Sequence, residues 1–577
     1  VFSRALLSMV SNSSLHQIFF ESKRVLASDE GSEARRAMSL KASAYARGLF
    51  SILIFALRRR APVVWTALGA AIVFYGFPRY FGASLLVATA LAGVSATFRQ
   101  GGPSQLRTVA GIGLALSLGV VWGAAAALAE TSFAQPPDLA RFPLAQVSGR
   151  LVADGRRTSK GNTIIAIELE EATILQKGWS SRLAWPRCHP RISLVTDSKT
   201  ELAAGRRINI AQISAIDAGQ ALYYASAKNI MLGPFVSTAA RLRAAAKSTL
   251  SARIKAVAGK AFPLAQALLL GVMDDIGNEE AGLFRDAGCA HILSLSGQHL
   301  SILCSLMTLL FAKLLKRARL ADIASIAFAL LFTWLAGAGP SLLRSTLMTM
   351  AGIAMRRMDR PQQGITILAL VFCVTLGWKP AQARSLSFTL SYSAMIGLNL
   401  LSARWEGILW RIPPFAAKPL AASFAALSAT ASISLHTFGF FALGGIIASS
   451  LSGPVVLLLM WSLLGSTLLG SLLPFLGTIL SAWHELIHAV LLGIMRIGAL
   501  LPAIRPESGG GRLLVSLAIV ALCLFVYAYP YIENALSQIR EEAHDDSLRF
   551  PCLHKNLSGS PGPRHVQALR PELPRRS

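Results

Sequence analysis

Charged residues are scarce in this chain, and their scarcity excludes an ordinary soluble fold. Only 15% of the 577 residues are charged, whereas an average globular protein carries roughly 25%. Hydrophobic residues make up 53% of the chain, and the mean hydropathy is +0.52. Because a soluble core could not hide that much apolar surface, the composition predicts a polytopic α-helical membrane protein.

Metal-binding cysteine pairs and nucleotide-binding loops are also missing. The six cysteines form no C-x-x-C pair, which excludes a disulfide framework and a zinc ribbon. No G-x-x-x-x-G-K-[ST] string occurs, so the chain carries no ATP motor of the P-loop kind. Cys188 and Cys289 either form one disulfide bridge in an oxidising compartment or are two unpaired buried thiols, and the sequence leaves both alternatives open.

Positive charge, by contrast, is in excess. The chain has 56 Lys and Arg residues against 29 Asp and Glu residues, a net charge of +27. The first 60 residues are polar and basic, and they end in Arg58, Arg59 and Arg60 directly before a hydrophobic segment. The positive-inside rule therefore predicts a cytoplasmic N-terminal segment over residues 1–60 of a multi-pass membrane protein.

Runs without charge mark the membrane-spanning segments. We predict N-terminal transmembrane helices over residues 61–130 and a transmembrane domain over residues 261–532. Together they give about ten to twelve spans, since each span needs about 20 apolar residues. Residues 419–484 contain no Asp, Glu, Lys or Arg at all. The last segment, residues 533–577, has mixed charge and is rich in Pro, Gly and Ser, which predicts a disordered cytoplasmic tail.

A different composition separates the two membrane parts. Short β-like runs punctuated by glycine predict a small inserted β-barrel of the OB type over residues 141–235, on the outer side because three spans precede it. A basic amphipathic helix over residues 236–260 follows and is typical of the membrane interface. The predicted strands cover residues 145–152, 163–169, 191–196, 208–216 and 228–232.

This inserted region carries more positive charge than its membrane topology explains. Residues 141–260 hold 19 Lys and Arg against 7 Asp and Glu, a net charge of +12, and large translocated domains escape the positive-inside rule. Cations beside Trp179, Trp185, Tyr223 and Tyr224 suit single-stranded nucleic acid, although a domain facing lipid headgroups is the alternative. The candidate DNA-binding cations are Arg156, Arg157, Arg206, Arg207, Arg241, Arg243 and Lys247.

The most informative string is HILSLSGQH at residues 291–299, which opens a run without charge. Polar side chains there are costly unless they face protein or water. The string predicts either a pore-lining role or close helix packing, and its Ser296-Gly297 pair allows a break in the helix or a close backbone approach. Arg344 raises the same question, since it either snorkels to the outer interface or faces a wet path and contacts phosphate.

These residues resemble the signature of the ComEC family, the inner-membrane channels of bacterial competence. The match includes His291, Ser294, Ser296, Gly297 and His299. Residues 262–273 (FPLAQALLLGVM), 339–350 (GPSLLRSTLMTM) and 388–394 (FTLSYSA) are similar to further family segments. Many family members end in a metallo-β-lactamase-like hydrolase domain, and we expect this chain to lack it because no H-x-H pair occurs.

The resemblance implies a channel that imports single-stranded transforming DNA and makes no covalent change, with no cofactor. It implies a path lined by His291, Ser294, Ser296, Gly297, His299, Arg344 and Ser391. The partners it implies are a periplasmic DNA receptor, a separate nuclease, and a cytoplasmic helicase or single-strand binding protein. A homo-oligomer remains open.

Two other classes of function remain open. His484, Glu485 and His488 form an H-E-x-x-H string, the spacing of zinc proteases, so an intramembrane metalloprotease is one alternative. A rhomboid-like pair of Ser296 and His436 is a weaker version of the same idea. The other alternative is a transporter of an anionic polymer other than DNA.

Overall fold

The computed structural model describes the chain in ten stretches. They are residues 62–76, 104–132, 144–158, 161–176, 179–184, 190–197, 202–217, 222–359, 363–472 and 477–549. The predicted N-terminal segment lies outside the described residues, and so do residues 77–103 of the predicted N-terminal transmembrane helices, Trp185, Cys188 and residues 550–577.

Two apolar helices come first and pack against each other. Helix α1 is Pro62–Gly76 and helix α2 is Ser104–Ser132. They approach so closely that a Cβ added to Gly69, Gly119 or Gly123 would collide with backbone of the facing helix. Small residues of this kind let membrane helices pack backbone to backbone.

The inserted domain is a curled nine-stranded sheet, and we call residues 144–235 the β-sheet domain. Its order is β7-β8-β5-β3-β1-β6-β9, and β2 and β4 also pair with β3. The half-barrel shape agrees with the predicted OB-like fold. The strands are β1 Leu144–Leu151, β2 Arg156–Arg157, β3 Thr163–Gln176, β4 Trp179–Ala184, β5 Arg191–Thr196, β6 Arg206–Ala211, β7 Ser214–Asp217, β8 Leu222–Tyr224 and β9 Ile230–Phe235.

One predicted strand is divided in the structure. Residues 208–216 form parts of β6 and β7, because Gln212 between them adopts a left-handed backbone with φ 55°. Alternating burial along β1 and β5 fills one core with Val147, Ile192 and Leu194, each at most 2% exposed. That period of two is what a curled sheet with one buried face requires.

The basic helix follows the sheet. Helix α3 is Thr238–Ala258, and Ser237 caps it by accepting a hydrogen bond from the Ala240 amide. Ile254, Val257 and Ala258 at its end are buried in the membrane domain, whereas Arg241 and Arg253 are exposed. The helix therefore joins the β-sheet domain to the helices that come after it.

Helices, most of them apolar, form nearly all of the rest of the described chain. Seven helices are long and apolar enough to cross a membrane, and three shorter apolar helices accompany them in the described residues, so the polytopic membrane fold is confirmed. The helices are α4 Phe262–Leu270, α5 Asn278–Asp286, α6 Ala290–Leu293, α7 Gly297–Leu315, α8 Ala318–Ala336, α9 Pro340–Arg357, α10 Gly364–Trp378, α11 Pro380–Ala383, α12 Leu386–Ile408, α13 Pro414–Phe438, α14 Gly444–Leu472, α15 Gly477–Ala499 and α16 Gly509–Arg549. A short pair, β10 Phe441–Ala442 with β11 Ala503–Ile504, links the last helices.

Helix α16 differs from the expectation at its end. It continues to Arg549, so residues 533–549 are helical where the composition predicts disorder. Ala, Leu, Glu, Gln and Arg, all good helix formers, are frequent in that stretch. Local helix propensity therefore extends the last apolar helix into the polar segment.

Candidate functional site

The signature string 291–299 contains a break between two helices. Helix α6 ends at Leu293, and Ser294 and Ser296 adopt extended backbone before α7 begins at Gly297. The Ser296 side chain accepts from the His299 amide at 3.5 Å, and His299 Nδ1 accepts from the Ser296 amide at 3.2 Å. This reciprocal cap satisfies two backbone donors that a helix start otherwise leaves open. The predicted break is present, and buried His299 stabilises it.

Arg344 lies in α9 against this break and is only 6% exposed. Its Nε atom has no hydrogen-bond partner, and its Nη1 atom lies 3.9 Å from Met348 Sδ. Its guanidinium carbon lies 5.9 Å from the centroid of the Tyr392 ring. Among the described residues no carboxylate pairs with Arg344. The site therefore contains a buried cation without a fixed counter-charge.

Gly297, the first residue of α7, lies directly against α9. A Cβ at this position would lie 2.6 Å from Arg344 Nη2 and 3.1 Å from the Ser341 carbonyl oxygen. The Gly297 carbonyl accepts hydrogen bonds from Ser345 Oγ at 2.8 Å and from Ser301 Oγ at 2.9 Å. A side chain at this position would therefore displace the guanidinium.

The other predicted path residues lie around this centre. His291 and Ser294 are exposed, and Ser294 Oγ donates to the His291 carbonyl at 3.0 Å. Ser391 is half-buried in α12, next to Tyr392. The structure thus brings Ser296, Gly297, His299 and Arg344 together. That these residues line a DNA path stays a prediction.

Several predicted DNA-binding cations of the β-sheet domain have protein partners. The backbone amide of exposed Arg157 donates to Asp274 Oδ1 at 3.0 Å. Arg206 Nε donates to the Gly233 carbonyl at 3.0 Å, and Arg207 lies 3.7 Å from Glu170. The side chains of Arg156, Arg207 and Arg241 are exposed. Contact of this set with DNA stays a prediction.

Arg243 and Lys247 of α3 are engaged by one carboxylate of the β-sheet domain. Asp154 Oδ2 lies 2.9 Å from Arg243 Nη2 and 2.6 Å from Lys247 Nζ. Arg243 Nε also donates to the Trp334 carbonyl at the end of α8, at 2.8 Å. Arg243 therefore connects three parts of the fold: the β-sheet domain, α3 and α8. We call this group the Asp154 latch.

The charges of the latch shift the titration of Asp154. Burial alone would raise the pKa of the Asp154 carboxyl, but the Arg243 hydrogen bond, the Lys247 charge and the Ala204 amide hold that pKa well below its usual range. Glu168 in β3 behaves in the same direction. Its burial is outweighed by hydrogen bonds from Arg191 and Arg150, which lower the pKa of the carboxyl.

The H-E-x-x-H string lies on α15, and all three polar side chains contact protein. His484 Nδ1 donates to the Val257 carbonyl at 2.9 Å, and Glu485 Oε1 accepts from the Lys260 amide at 3.0 Å. His488 Nε2 donates to Glu280 at 2.9 Å. In the part of the chain that the structure describes, no group of three or more His, Cys, Asp or Glu side chains is arranged to hold a metal ion. The geometry therefore gives a zinc site at this string no support.

The structure describes only some of the residues needed for two further alternatives, the Ser296–His436 pair and the Cys188–Cys289 bridge. Ser296 Oγ accepts from the His299 amide, whereas His436 is an exposed residue in the last turn of α13. Cys289 is a buried free thiol. Its proposed partner, Cys188, lies outside the described residues.

Sequence reasoning missed the partners that complete these groups. Asp154 is a single acid among many cations, and Glu280 belongs to a charged helix with three acids, so neither stands out in the sequence. Tyr392 lies inside the string FTLSYSA that carried part of the resemblance. That string was the only signal for the ring beside Arg344.

Comparison with known proteins relates part of the chain to a competence family. Residues 268–531 match the family model described as competence protein. The chain is 27% identical over 145 residues to ComE operon protein 3 of Bacillus subtilis (strain 168), a match that covers 25% of this chain and 19% of that protein. No solved structure matches. These matches and the signature string around Gly297 show that residues 268–531 resemble the competence-protein family.

Proposed function

We propose that this protein is a channel that imports single-stranded transforming DNA across the bacterial inner membrane, with its N-terminus in the cytoplasm. The observation that carries the proposal is Arg344, a buried guanidinium whose Nε atom has no partner. The family match supports a role in competence DNA uptake.

An unpaired arginine among membrane helices needs a compensating charge or water. Placing Arg near the centre of a membrane helix costs about 2.5–3.5 kcal/mol on insertion scales. By contrast, the mostly buried cations Arg243 and Lys247 are neutralised by Asp154. A passing phosphodiester would supply the missing negative charge at Arg344 and then leave, which a fixed carboxylate would prevent.

The surroundings of Arg344 favour an anion as well. Helix α7 begins at Gly297, so the positive end of its dipole lies beside the guanidinium. The hydroxyl of Ser341 lies 3.3 Å from that of Ser387, which adds a polar pair at the start of α9. These groups bind phosphate oxygen without reading bases, as import of any sequence requires.

The β-sheet domain and α3 would collect the strand on the outer side. Their net charge of +12 over residues 141–260 attracts a polyanion, and Arg156, Arg207 and Arg241 remain exposed for it. The partners expected from the family are a periplasmic DNA receptor, a separate nuclease, and a cytoplasmic helicase or single-strand binding protein.

The test replaces Arg344 in a naturally transformable host that lacks its own relative. We expect Arg344→Gln to lower import of labelled single strands at least about tenfold, the effect of losing one charge-assisted phosphate contact. Arg344→Lys should retain part of the import. The matched control is Arg496→Gln, which removes an exposed cation from α15.

Membrane levels of each variant must equal those of the unsubstituted protein. Normal import by Arg344→Gln would overturn the proposal. Equal inhibition of import by polyphosphate and by unlabelled DNA would favour transport of anionic polymers in general.

A further inference from the structure

The H-E-x-x-H string has no part in the proposed DNA path, yet all three of its polar side chains make hydrogen bonds to protein. His484 is fully buried. Because its Nδ1 atom faces the Val257 carbonyl at 2.9 Å, Nδ1 carries the proton and Nε2 accepts. Nε2 lies 3.4 Å from Ser466 Oγ on α14, which is then the donor. One imidazole thus joins the end of α3 to α14 and α15.

Glu485 binds the backbone directly after the end of α3. Its Oε1 atom accepts from the Lys260 amide at 3.0 Å, directly after α3 ends. Gly259, with φ 54°, provides the space, since a Cβ there would collide with Glu485 Oε1. The carboxylate therefore caps the corner where the chain turns from α3 into α4.

His488 completes the set one turn further along α15. Its Nε2 atom lies 2.9 Å from Glu280 Oε1 on α5, and the two side chains are mostly buried. Residues four apart lie on one face of a helix, so a single face of α15 contacts α3, the α3–α4 corner and α5. The i, i+4 spacing that suits a metal site here serves three separate protein contacts.

The opposite end of α3 is held by the Asp154 latch. Arg243 and Lys247 bind Asp154 of the β-sheet domain, and Arg243 also binds the Trp334 carbonyl of α8. Helix α3 has 21 residues and is about 30 Å long at 1.5 Å per residue. It is therefore fixed at one end to the β-sheet domain and at the other end to α15.

We propose that His484, Glu485 and His488 form a clasp on α15, in which His484 and Glu485 fix the end of α3 and His488 fixes α5 beside it. Apolar side chains would hold the helices together without fixing their register. Buried directional contacts specify one arrangement, because an unsatisfied buried polar group costs about 1–3 kcal/mol. The inference rests on the proposed function for its consequence: a strand collected outside reaches α7 and α9 only while the clasp holds α3 in place.

The test measures the position of α3 directly, without DNA. Ala256→Cys and Gly477→Cys place two thiols at the contact, since a Cβ at 477 lies 3.5 Å from the Ala256 carbonyl oxygen. Full-length protein in membranes is treated with a short bifunctional thiol reagent, and single-cysteine variants give the background from the native thiols. The clasp variant is His484→Leu with Glu485→Ala and His488→Ala. Glu485→Gln, which retains an acceptor for the Lys260 amide, is the conservative control.

We expect cross-linking of positions 256 and 477 to slow at least about tenfold in the clasp variant, the loss expected for a buried hydrogen bond, and to stay near normal in Glu485→Gln. DNA capture at the cell surface should persist while import falls. Once positions 256 and 477 of the clasp variant have been cross-linked, import should be restored. An unchanged cross-linking rate, joint loss of capture and import, or one equivalent of zinc that is lost on His488→Ala would each overturn the clasp.

The clasp and the proposed function fail in different ways. If Arg344→Gln imports DNA normally while the cross-linking rate still falls in the clasp variant, the path assignment is wrong and the clasp stands. If Arg344→Gln blocks import and the cross-linking rate is unchanged, the clasp is wrong.

Discussion

A Cβ on Gly297 would lie 2.6 Å from Nη2 of Arg344, so the first residue of α7 and a residue in the second turn of α9 specify each other. The glycine leaves the space that the guanidinium occupies. The guanidinium in turn lies at the positive end of α7, where an anion is favoured. This contact joins the two family segments that carried the resemblance, the signature string and the segment around Arg344.

Gly297→Ala should therefore lower DNA import without lowering the amount of protein in the membrane. The methyl group displaces the guanidinium from the break, and we expect a loss of about tenfold, or about 1.4 kcal/mol. The measurement is import of labelled single strands at equal protein level. Gly465→Ala in α14 is the control, since a Cβ there meets nothing within 4 Å. Full import by Gly297→Ala would show that the guanidinium position does not matter.

We expect the aromatic ring of Tyr392 to contribute to DNA import through its contact with Arg344. Its centroid lies 5.9 Å from the guanidinium carbon of Arg344, a distance at which a desolvated cation–π contact contributes about 1–2 kcal/mol. Tyr392→Leu removes the ring and should reduce import several-fold, whereas Tyr392→Phe keeps it and should import normally. Equal loss in both variants would assign the effect to the hydroxyl instead, and that result would contradict the prediction.

Asp154→Asn should loosen the β-sheet domain from α3. The change removes the negative charge that Arg243 and Lys247 share, and leaves two mostly buried cations with a weaker partner. We expect docking to weaken by about 1–3 kcal/mol, seen as faster limited proteolysis between β9 and α4. The control is Asp275→Asn, an exposed carboxylate close to the same interface. Unchanged proteolysis of the Asp154 variant would show that apolar contacts alone hold the domain.

The latch also predicts a direction of pH dependence. The pKa of Asp154 is lowered in the folded protein, so its contribution is complete above the unfolded pKa near 3.8 and is lost only as the pH falls through the lower folded pKa. Docking should therefore persist between neutral pH and about pH 4 and weaken below that range. Proteolysis in detergent across this range is the measurement. Asp154→Asn should lack this acid step, and a transition near pH 6 in the unsubstituted protein would contradict the assignment.

The parts of this fold that depend on local pattern follow from the sequence. Charge-free runs predict the membrane helices, and Ser296-Gly297 predicts the helix break, because each signal lies within a few residues. The division of the strand at Gln212 is not predicted, since a left-handed backbone at a non-glycine residue has no clear sequence signal.

Long-range pairs are what the sequence does not predict. The H-E-x-x-H spacing correctly indicates one helix face, but the partner of His484, the Val257 carbonyl, is 227 residues away. In the same way, counting cations predicts DNA contacts for Arg243 and Lys247 without showing that Asp154 lies 89 and 93 residues before them and faces both. Tertiary structure decides which charges stay available, and composition alone does not.

The most direct test is covalent capture of a DNA strand in transit. A single strand with a bulky 5′ end and a thiol-reactive group on its phosphates is stalled during import into cells that carry Ser341→Cys, beside the Gly297–Arg344 contact. Leu309→Cys on the exposed side of α7 is the matched control. The account predicts adducts at position 341 that require stalled DNA, and none at 309. Equal labelling at both positions, or no adduct at 341 while unblocked strands are imported normally, would contradict a path beside Arg344.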